Sequence, residues 1–134
     1  MTAHRPLVLI AEDFEDAREL YRDYLEFSGF GVETAANGRE AVEMAGRLQP
    51  DLILMDASMP VLDGWQATRE LKAGSSTHHI PVIALTAHAF DDARQQAKAA
   101  GCDGFITKPC LPDDLVAKVR STLEGTGKRK SRVR

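Results

Sequence analysis

The stretch Leu52-Ile53-Leu54-Met55-Asp56 is an unbroken apolar run that stops at an acid. Because no polar residue alternates with the apolar ones, the run is typical of a strand buried on both faces of a parallel sheet. Apolar residues recur at helical spacing on either side of it, over 41–48 before the strand and 65–71 after it. The dipeptide Gln49-Pro50 separates the first of these helices from the strand. The centre of the chain therefore predicts a helix, a strand and a second helix in succession.

The same alternation extends to both ends of the chain. Short apolar runs predict four further strands, at 7–11, 32–35, 81–85 and 105–106. Apolar residues three and four positions apart predict the remaining helices, at 17–27, 93–100 and 115–123. Five strands alternating with five helices indicate an α/β fold, a doubly wound parallel sheet with helices on both faces and right-handed crossovers.

Composition narrows the class of protein. The 134 residues are 43% hydrophobic and 28% charged, which fits one globular domain. We expect that domain to span residues 7–123, between an N-terminal extension at 1–6 and a tail at 124–134. No apolar run approaches the ~20 residues of a membrane span, and the first residues lack the layout of a secretory signal. We therefore expect a cytoplasmic protein, in which Cys102 and Cys110 form neither a disulfide nor a zinc site.

Charge is distributed unevenly along the chain. The net charge is −3, but five of the 17 basic residues lie in positions 128–134, so residues 1–127 carry 12 basic and 20 acidic residues, a net of −8. An acidic body is not typical of a DNA-binding domain, so we expect no direct binding to DNA. The basic tail is interpreted as a solvated, disordered extension, with a membrane contact, a nucleic-acid contact or a linker stub as alternatives.

Polar residues follow four of the predicted strands. Glu12 and Asp13 follow the first strand, Asp56 the third, Thr86 the fourth and Lys108 the fifth. In an open α/β sheet the ligand site lies beyond the carboxyl ends of the strands, so these side chains are expected to converge there. The sequence thus predicts three carboxylates, one hydroxyl and one ammonium group at a single edge.

This set of side chains indicates phosphoryl transfer. Three neighbouring carboxylates repel one another, and a hard divalent cation such as Mg²⁺, with Mn²⁺ as an alternative, relieves the repulsion. Lys108 supplies a mobile positive charge for a phosphoryl oxygen, and the Thr86 hydroxyl adds a hydrogen bond. Asp56 is the candidate nucleophile, because a carboxylate can form an aspartyl-phosphate.

Several short segments at these strand ends carry a family resemblance when taken together in this order. They are LVLIAED (7–13), LILMD (52–56), MPVLDG (59–64), PVIALTA (81–87) and KP (108–109). On these segments the chain resembles the receiver domain of response regulators in two-component signalling, in its free-standing, chemotaxis-regulator-like form. The resemblance implies a flavodoxin-like sheet with strand order 2-1-3-4-5 and a cis peptide between Lys108 and Pro109.

The resemblance also implies roles for individual residues. Asp56 would accept a phosphoryl group from a histidine of a sensor kinase or a phosphotransfer protein. Asp13 and Asp56 would ligate Mg²⁺ together with the backbone carbonyl of Ser58, and Glu12 would act through water. Lys108 and Thr86 would hold the phosphoryl oxygens.

A conformational switch is implied as well. Thr86 would move toward the phosphoryl group while Phe105, which stands where the family often has tyrosine, turns inward. The surface of the fourth helix, fifth strand and fifth helix would then change for an unknown downstream protein. The small Ala87 would leave the site open to the donor, whereas Ser58 and His88 would flank the hydrolytic water and affect lifetime. We expect a monomer or a weak, phosphorylation-dependent dimer.

Three alternatives remain open from the sequence. The chain could be a receiver module excised from a hybrid kinase. A phosphohydrolase with an aspartyl-phosphate intermediate is less favoured, because Ser58 stands where such enzymes carry a second acid and no segment is long enough for a substrate cap. A phosphate-independent interaction module does not explain the complete acidic, hydroxyl and ammonium set. We therefore expect no enzymatic turnover beyond phosphotransfer to the protein itself and autodephosphorylation.

Overall fold

A computed structural model describes residues 5–87 and 91–133. Five strands and five helices alternate along these residues, as the apolar periodicity predicted. The strands are β1 Leu7–Ala11, β2 Gly31–Ala35, β3 Leu52–Asp56, β4 Val82–Thr86 and β5 Gly104–Thr107. The helices are α1 Glu15–Phe27, α2 Gly38–Leu48, α3 Gly64–Ala73, α4 Asp91–Ala100 and α5 Pro112–Val133.

The strands form one parallel sheet in the order β2-β1-β3-β4-β5. This order confirms the fold class and strand order that the sequence and its resemblance implied. The central strands are apolar because helices cover both of their faces, and every residue of β3 and β4 is buried. The strands β2 and β5 are the two edges, and β5 is only half-buried along its length.

The sheet divides the hydrophobic core into two layers. On one face, Tyr21 and Leu25 of α1 and Leu115 and Val119 of α5 pack against Val8, Ile10, Leu52, Leu54, Ile83 and Leu85 of the strands. On the other face, α2 and α3 pack against the alternate residues of the same strands. Helix α4 buries its alanine stripe, Ala93, Ala97 and Ala100, next to α3. The core thus fixes the register of the strands whose ends form the site.

The ends of the helices agree with the sequence except at α5. Helix α1 ends at Phe27 with Ser28 as its C-cap, and the following Gly29 adopts a φ of +99°. Helix α2 ends at Leu48, and its C-cap Gln49 adopts a φ of 51° in front of Pro50. Helix α5 is continuous to Val133, although the composition predicted its end at Leu123. The domain bounds of 7–123 stay a prediction, and residues 1–4 of the predicted N-terminal extension lie outside the described residues.

Within the described residues, none of the helices combines the length and the apolar character that crossing a bilayer requires.

Candidate functional site

The carboxyl ends of four strands bring the predicted side chains together. Glu12, Asp13, Asp56, Thr86 and Lys108 all line one cavity of about 860 Å³. They reach it from separate parts of the sequence because β1, β3, β4 and β5 are neighbours in the sheet. Asp13 is exposed at the mouth, whereas Glu12, Asp56 and Thr86 are buried. The structure therefore provides the arrangement on which the predicted chemistry depends.

Lys108 supplies the positive charge among the described residues that line the cavity. Its Nζ atom lies 2.8 Å from Glu12 Oε1 and 3.3 Å from Asp56 Oδ2. Its backbone amide donates a hydrogen bond of 2.7 Å to the Thr86 carbonyl, which ties the end of β5 to the end of β4. The peptide between Lys108 and Pro109 is cis, as the resemblance implied. The ammonium group is thus held between two acids that come from different strands.

Asp56 has an unusual protonation state because of its surroundings. Burial raises its pKa most, and the hydrogen bond and the negative charge of Glu12 raise it further, to about 7. The charge of Lys108 and a hydrogen bond of 3.2 Å from the Ser58 amide act in the opposite direction. Without a bound cation this carboxyl therefore titrates near neutral pH, which is the expected consequence of burying it beside a second acid.

The pKa of Glu12 is lowered, in contrast to that of Asp56. Burial acts to raise its pKa, since it is 1% exposed, but hydrogen bonds from Lys108, from the Asp56 carboxyl and from the Phe14 amide lower it overall. Burial lowers the pKa of Lys108, and the two acids more than offset this, so that its pKa is raised overall. Lys108 is accordingly charged, and its closer partner in this state is Glu12.

The donor atoms fit a hard divalent cation. Glu12, Asp13 and Asp56 each offer one carboxylate oxygen, and the three atoms lie within 4.8 Å of one another. Oxygen donors of this kind are those that Mg²⁺ takes in proteins, usually through one or two carboxylates with water completing the shell. The exposed Asp13 leaves the outer side of such a shell open to solvent.

The loop between β3 and α3 holds its shape by close backbone approaches. The Ala57 carbonyl accepts a hydrogen bond of 3.0 Å from the Gly64 amide. A Cβ atom at position 64 would lie 2.1 Å from the Asp56 carbonyl oxygen, so only glycine fits there. Val61, which is 80% exposed, adopts a φ of +71°. The loop thus carries backbone strain beside the site, since a β-branched residue is disfavoured in this region.

The other residues singled out from the sequence lie around this centre. Ser58 and Ala87 are exposed and line the cavity. Phe105 lies on β5 and is half-buried, with the guanidinium carbon of Arg94 5.2 Å from its ring centroid. His88, which was expected to affect lifetime, lies outside the described residues.

Several residues of the site were not found from the sequence. Phe14 and Trp65 line the cavity, although neither was named as a site residue from the sequence. Arg18 donates a hydrogen bond of 2.9 Å to the Glu12 carbonyl and so holds the end of β1 in place. The position of Trp65 in the first turn after the Asp63 capping box was the available signal, because that turn borders the strand end. Nothing in the local pattern distinguishes Arg18 from a solvated helix residue.

Known proteins share this fold and much of this sequence. The family model of the response regulator receiver domain matches residues 8–120. The polar-differentiation response regulator DivK of Brucella anthropi is 38% identical over 116 residues, which cover 87% of this chain and 94% of that protein. The chemotaxis response regulator CheY4 of Vibrio cholerae superposes with a TM-score of 0.84 at 30% identity, covering 88% of this chain and 98% of CheY4.

A third relative is a receiver domain of a histidine kinase. The receiver domain of sensor histidine kinase PA1611 from Pseudomonas aeruginosa PAO1, solved with a magnesium ion in its active-site cleft, superposes with a TM-score of 0.80 at 34% identity. The match covers 92% of this chain and 99% of that domain. The sheet order, the acids at the strand ends and these relatives agree, and the chain belongs to the response regulator receiver domain family of two-component systems.

Proposed function

We propose that this protein is a phosphorylation switch in which Asp56 accepts a phosphoryl group from a phosphohistidine of a sensor kinase or a phosphotransfer protein. The observation that carries the proposal is the position of Asp56. Its carboxyl lies at the end of β3, 3.3 Å from the Lys108 ammonium and within metal-ligand reach of Glu12 and Asp13. This arrangement supplies a nucleophile and a counter-charge in one open cavity.

The transfer step balances without any further reactant. A carboxylate oxygen of Asp56 attacks the phosphorus and an O–P bond forms. The P–N bond to the donor histidine breaks, and because the other ring nitrogen of that phosphohistidine carries a proton, the electron pair leaves on a neutral imidazole. Lys108 turns from Glu12 to a phosphoryl oxygen, and the Thr86 hydroxyl donates to another. Ala57, Ser58 and Ala87 line the same cavity, and backbone amides around these residues would assist Lys108 and Thr86.

The acids also indicate a metal requirement. Asp13 and Asp56 would bind Mg²⁺ directly with the Ser58 carbonyl, and Glu12 through water; Mn²⁺ has the same ligand preference. When bound, the cation neutralises the acids and the phosphoryl oxygens. Its charge also opposes the effect of burial on the Asp56 carboxyl, so that the nucleophile is present as a carboxylate at neutral pH.

The output of the switch is proposed to be a shift between two conformations. Thr86 moves toward the phosphoryl group and Phe105 turns inward, so that the face formed by α4, β5 and α5 changes for a downstream protein. Phosphorylation then selects a conformation that exists before it rather than creating a new one. Ala87 keeps the cavity accessible to the donor, and Ser58 and His88 flank the water that hydrolyses the phosphoryl group.

In this proposal the protein is the substrate of a kinase in the cytoplasm, as a monomer or a weak dimer, and does not turn over a substrate of its own. The same chemistry applies if the domain works within a hybrid kinase. The phosphohydrolase alternative has no supporting observation, because Ser58 offers no second acid beside Asp56 and the loop from β3 to α3 is only 57–63.

The test is the intact mass of the protein after incubation with acetyl phosphate and Mg²⁺. One phosphoryl group is expected on the wild type and on Asp92→Asn, whose acid lines the same cavity. None is expected in EDTA or on Asp56→Asn. Addition that persists on Asp56→Asn would place the acceptor elsewhere. Absence of addition from both acetyl phosphate and a phosphohistidine protein would contradict the switch.

A further inference from the structure

Two cationic side chains from neighbouring helices flank the edge strand β5, one on each face of the sheet. Arg94 of α4 places its guanidinium carbon 5.2 Å from the centre of the Phe105 ring. Lys118 of α5 crosses Gly104, where a Cβ atom would lie 3.0 Å from its Cε atom and 3.3 Å from its Nζ atom. Consecutive strand residues face opposite sides of a sheet, so the two cations flank the same short edge from both faces.

Arg94 and Lys118 form no ion pair within 4.0 Å with any residue that the structure describes, although residues 1–127 carry an excess of eight acids. The nearest acid in sequence, Asp103, is already paired with Lys72 at 3.0 Å and accepts a hydrogen bond from the Val82 amide. As far as the described residues go, the edge of β5 therefore has two positive charges without an acidic partner, on a protein that is acidic over residues 1–127.

The strand between the cations is itself accessible. All four residues of β5 are half-buried, and β5 has a neighbour on one side only, so its other backbone edge is open to a partner. An open strand edge and two unpaired cations together fit an acidic segment, because main-chain hydrogen bonds and charge pairing then act on the same partner.

Arg94 is connected to the switch through Phe105. A guanidinium over an aromatic face is attracted by the ring, so this contact holds Arg94 against β5 while the ring stays where it is. When Phe105 turns inward, the ring face withdraws and the guanidinium is released. The released cation is then available to an incoming carboxylate, since it is in no ion pair with a described residue.

We propose that Arg94 and Lys118 form a cationic edge along β5 that binds an acidic segment of the downstream protein, and that Phe105 holds Arg94 back until Asp56 is phosphorylated. This inference rests on the proposed phosphorylation switch. It adds the chemistry of the partner and names the residue that couples the aromatic ring to the binding edge.

The coupling is tested by NMR on the Arg94 Nε–H group, with beryllofluoride and Mg²⁺ as the phosphoryl mimic. The wild type without the mimic is expected to show a ring-current shift relative to Phe105→Leu. Adding the mimic should move the wild-type signal toward the Phe105→Leu position. A signal that keeps its ring-current shift in the presence of the mimic would overturn the coupling.

The binding edge is tested with a short fluorescein-labelled peptide of alternating glutamate and leucine. Its anisotropy titration is expected to show an affinity for the protein that is about fivefold higher with the mimic. A gain of this size is what one or two exposed ion pairs contribute to binding. Arg94→Gln should lose this gain, whereas Arg69→Gln on α3 should retain it. The glutamine version of the peptide should bind weakly in both states.

Trp65 fluorescence separates a failure of the binding edge from a failure of the phosphorylation switch. Trp65 lines the phosphorylation cavity, so its fluorescence reports the mimic independently of the peptide. If Trp65 does not respond to the mimic, the switch chemistry itself is wrong, and this inference with it. If Trp65 responds but the glutamine peptide binds equally well, or Arg94→Gln keeps the gain, the acidic edge is wrong. Light scattering that shows a dimer covering the edge would overturn it as well.

Discussion

The Lys108 ammonium lies 2.8 Å from Glu12 Oε1 and bridges two strand ends that are 96 positions apart in the sequence. Asp56 is the more distant partner of the same ammonium, at 3.3 Å. The pKa of Glu12 is lowered and that of Asp56 is raised to about 7, so near neutral pH the negative charge of the pair lies mainly on Glu12. The protonation of the site is therefore a property of three side chains rather than of Asp56 alone.

Glu12→Gln is expected to lower the pKa of Asp56. The glutamate raises this pKa through its hydrogen bond and its charge, and the substitution removes the charge. Burial remains as the largest cause, so the pKa should fall below about 7 without reaching its ordinary value. Carbon-detected NMR titration of the Asp56 carboxyl in EDTA measures it. Glu70→Gln, at the surface pair with Arg39, is the matched control and should leave the titration unchanged.

Lys108→Gln is expected to raise the pKa of Asp56 and to slow phosphorylation. The ammonium charge lowers the pKa of Asp56, so its loss leaves two buried carboxyls with less compensation. It also removes the group proposed to hold a phosphoryl oxygen. We expect the rate with acetyl phosphate to fall at least about tenfold, which corresponds to ~1.4 kcal/mol of barrier.

Lys72→Gln is the control for this rate, because its ammonium is paired with Asp103 at the other end of the strands. An unchanged rate in Lys108→Gln would mean that the lysine has only a structural role.

The sequence predicted the positions of these groups but not their pairing. The apolar runs placed Glu12, Asp56 and Lys108 at strand ends, and parallel topology brought the ends together. Which acid lies closer to the lysine depends on tenths of an ångström, and no spacing along the chain encodes such distances. No feature of the sequence signals the positive φ at Val61, because valine is disfavoured in that region.

Helix α5 shows a different limit of the sequence. Its predicted end at Leu123 rested on the shift to glycine, serine, threonine and basic residues that follows. A glycine such as Gly125 lowers helix propensity by about 1 kcal/mol without necessarily ending a helix, and α5 continues through this segment to Val133.

Binding of Mg²⁺ is expected to weaken as the pH falls below about 7. Asp56 must lose its proton to act as a ligand, so the apparent affinity should decrease by up to about tenfold per pH unit below its pKa and level off above it. Trp65 fluorescence during MgCl₂ titration at constant ionic strength measures this dependence. Asp56→Asn should lack the pH-dependent component. An affinity of the wild type that is constant across neutral pH would contradict the assigned protonation.

Asp56→Asn is expected to stabilise the metal-free protein at alkaline pH. The folded-state pKa of Asp56, about 7, lies above its ordinary 3.8, so the folded protein binds more protons than the unfolded chain between these values. Stability is therefore fully present below the lower value and is lost as the pH rises through the upper one. The carboxyl borders an open, water-accessible cavity, which screens part of the effect.

We expect Asp56→Asn to gain ~1–2 kcal/mol at about pH 8 in EDTA, roughly 3–8 °C in Tm. The difference should vanish near about pH 4, since both side chains are then neutral. Calorimetry at both pH values measures it. Mg²⁺ should raise the Tm of the wild type more than that of the variant. A variant that is less stable than the wild type at alkaline pH would contradict the raised pKa.

Gly64 and Gly46 are a matched pair for testing the loop beside the site, because both lie in helices. A methyl group at position 64 would lie 2.1 Å from the Asp56 carbonyl oxygen and 2.8 Å from the Ala57 Cα atom, whereas at position 46 nothing lies within 4 Å. Gly64→Ala must therefore displace backbone next to Asp56, the proposed phosphoacceptor, at a cost of about 1–3 kcal/mol. Gly46→Ala should instead stabilise the protein by about 0.5–1 kcal/mol, since alanine favours a helix.

Urea unfolding of both variants gives the two free energies of unfolding, and acetyl phosphate labelling gives their function. We expect Gly64→Ala to be labelled more slowly, because the displaced backbone carries Asp56 and the amides after it, and Gly46→Ala to be labelled at the rate of the wild type. Equal stability and equal labelling of the two variants would show that the loop can shift without cost. The close approach at Gly64 would then have no part in positioning the acceptor.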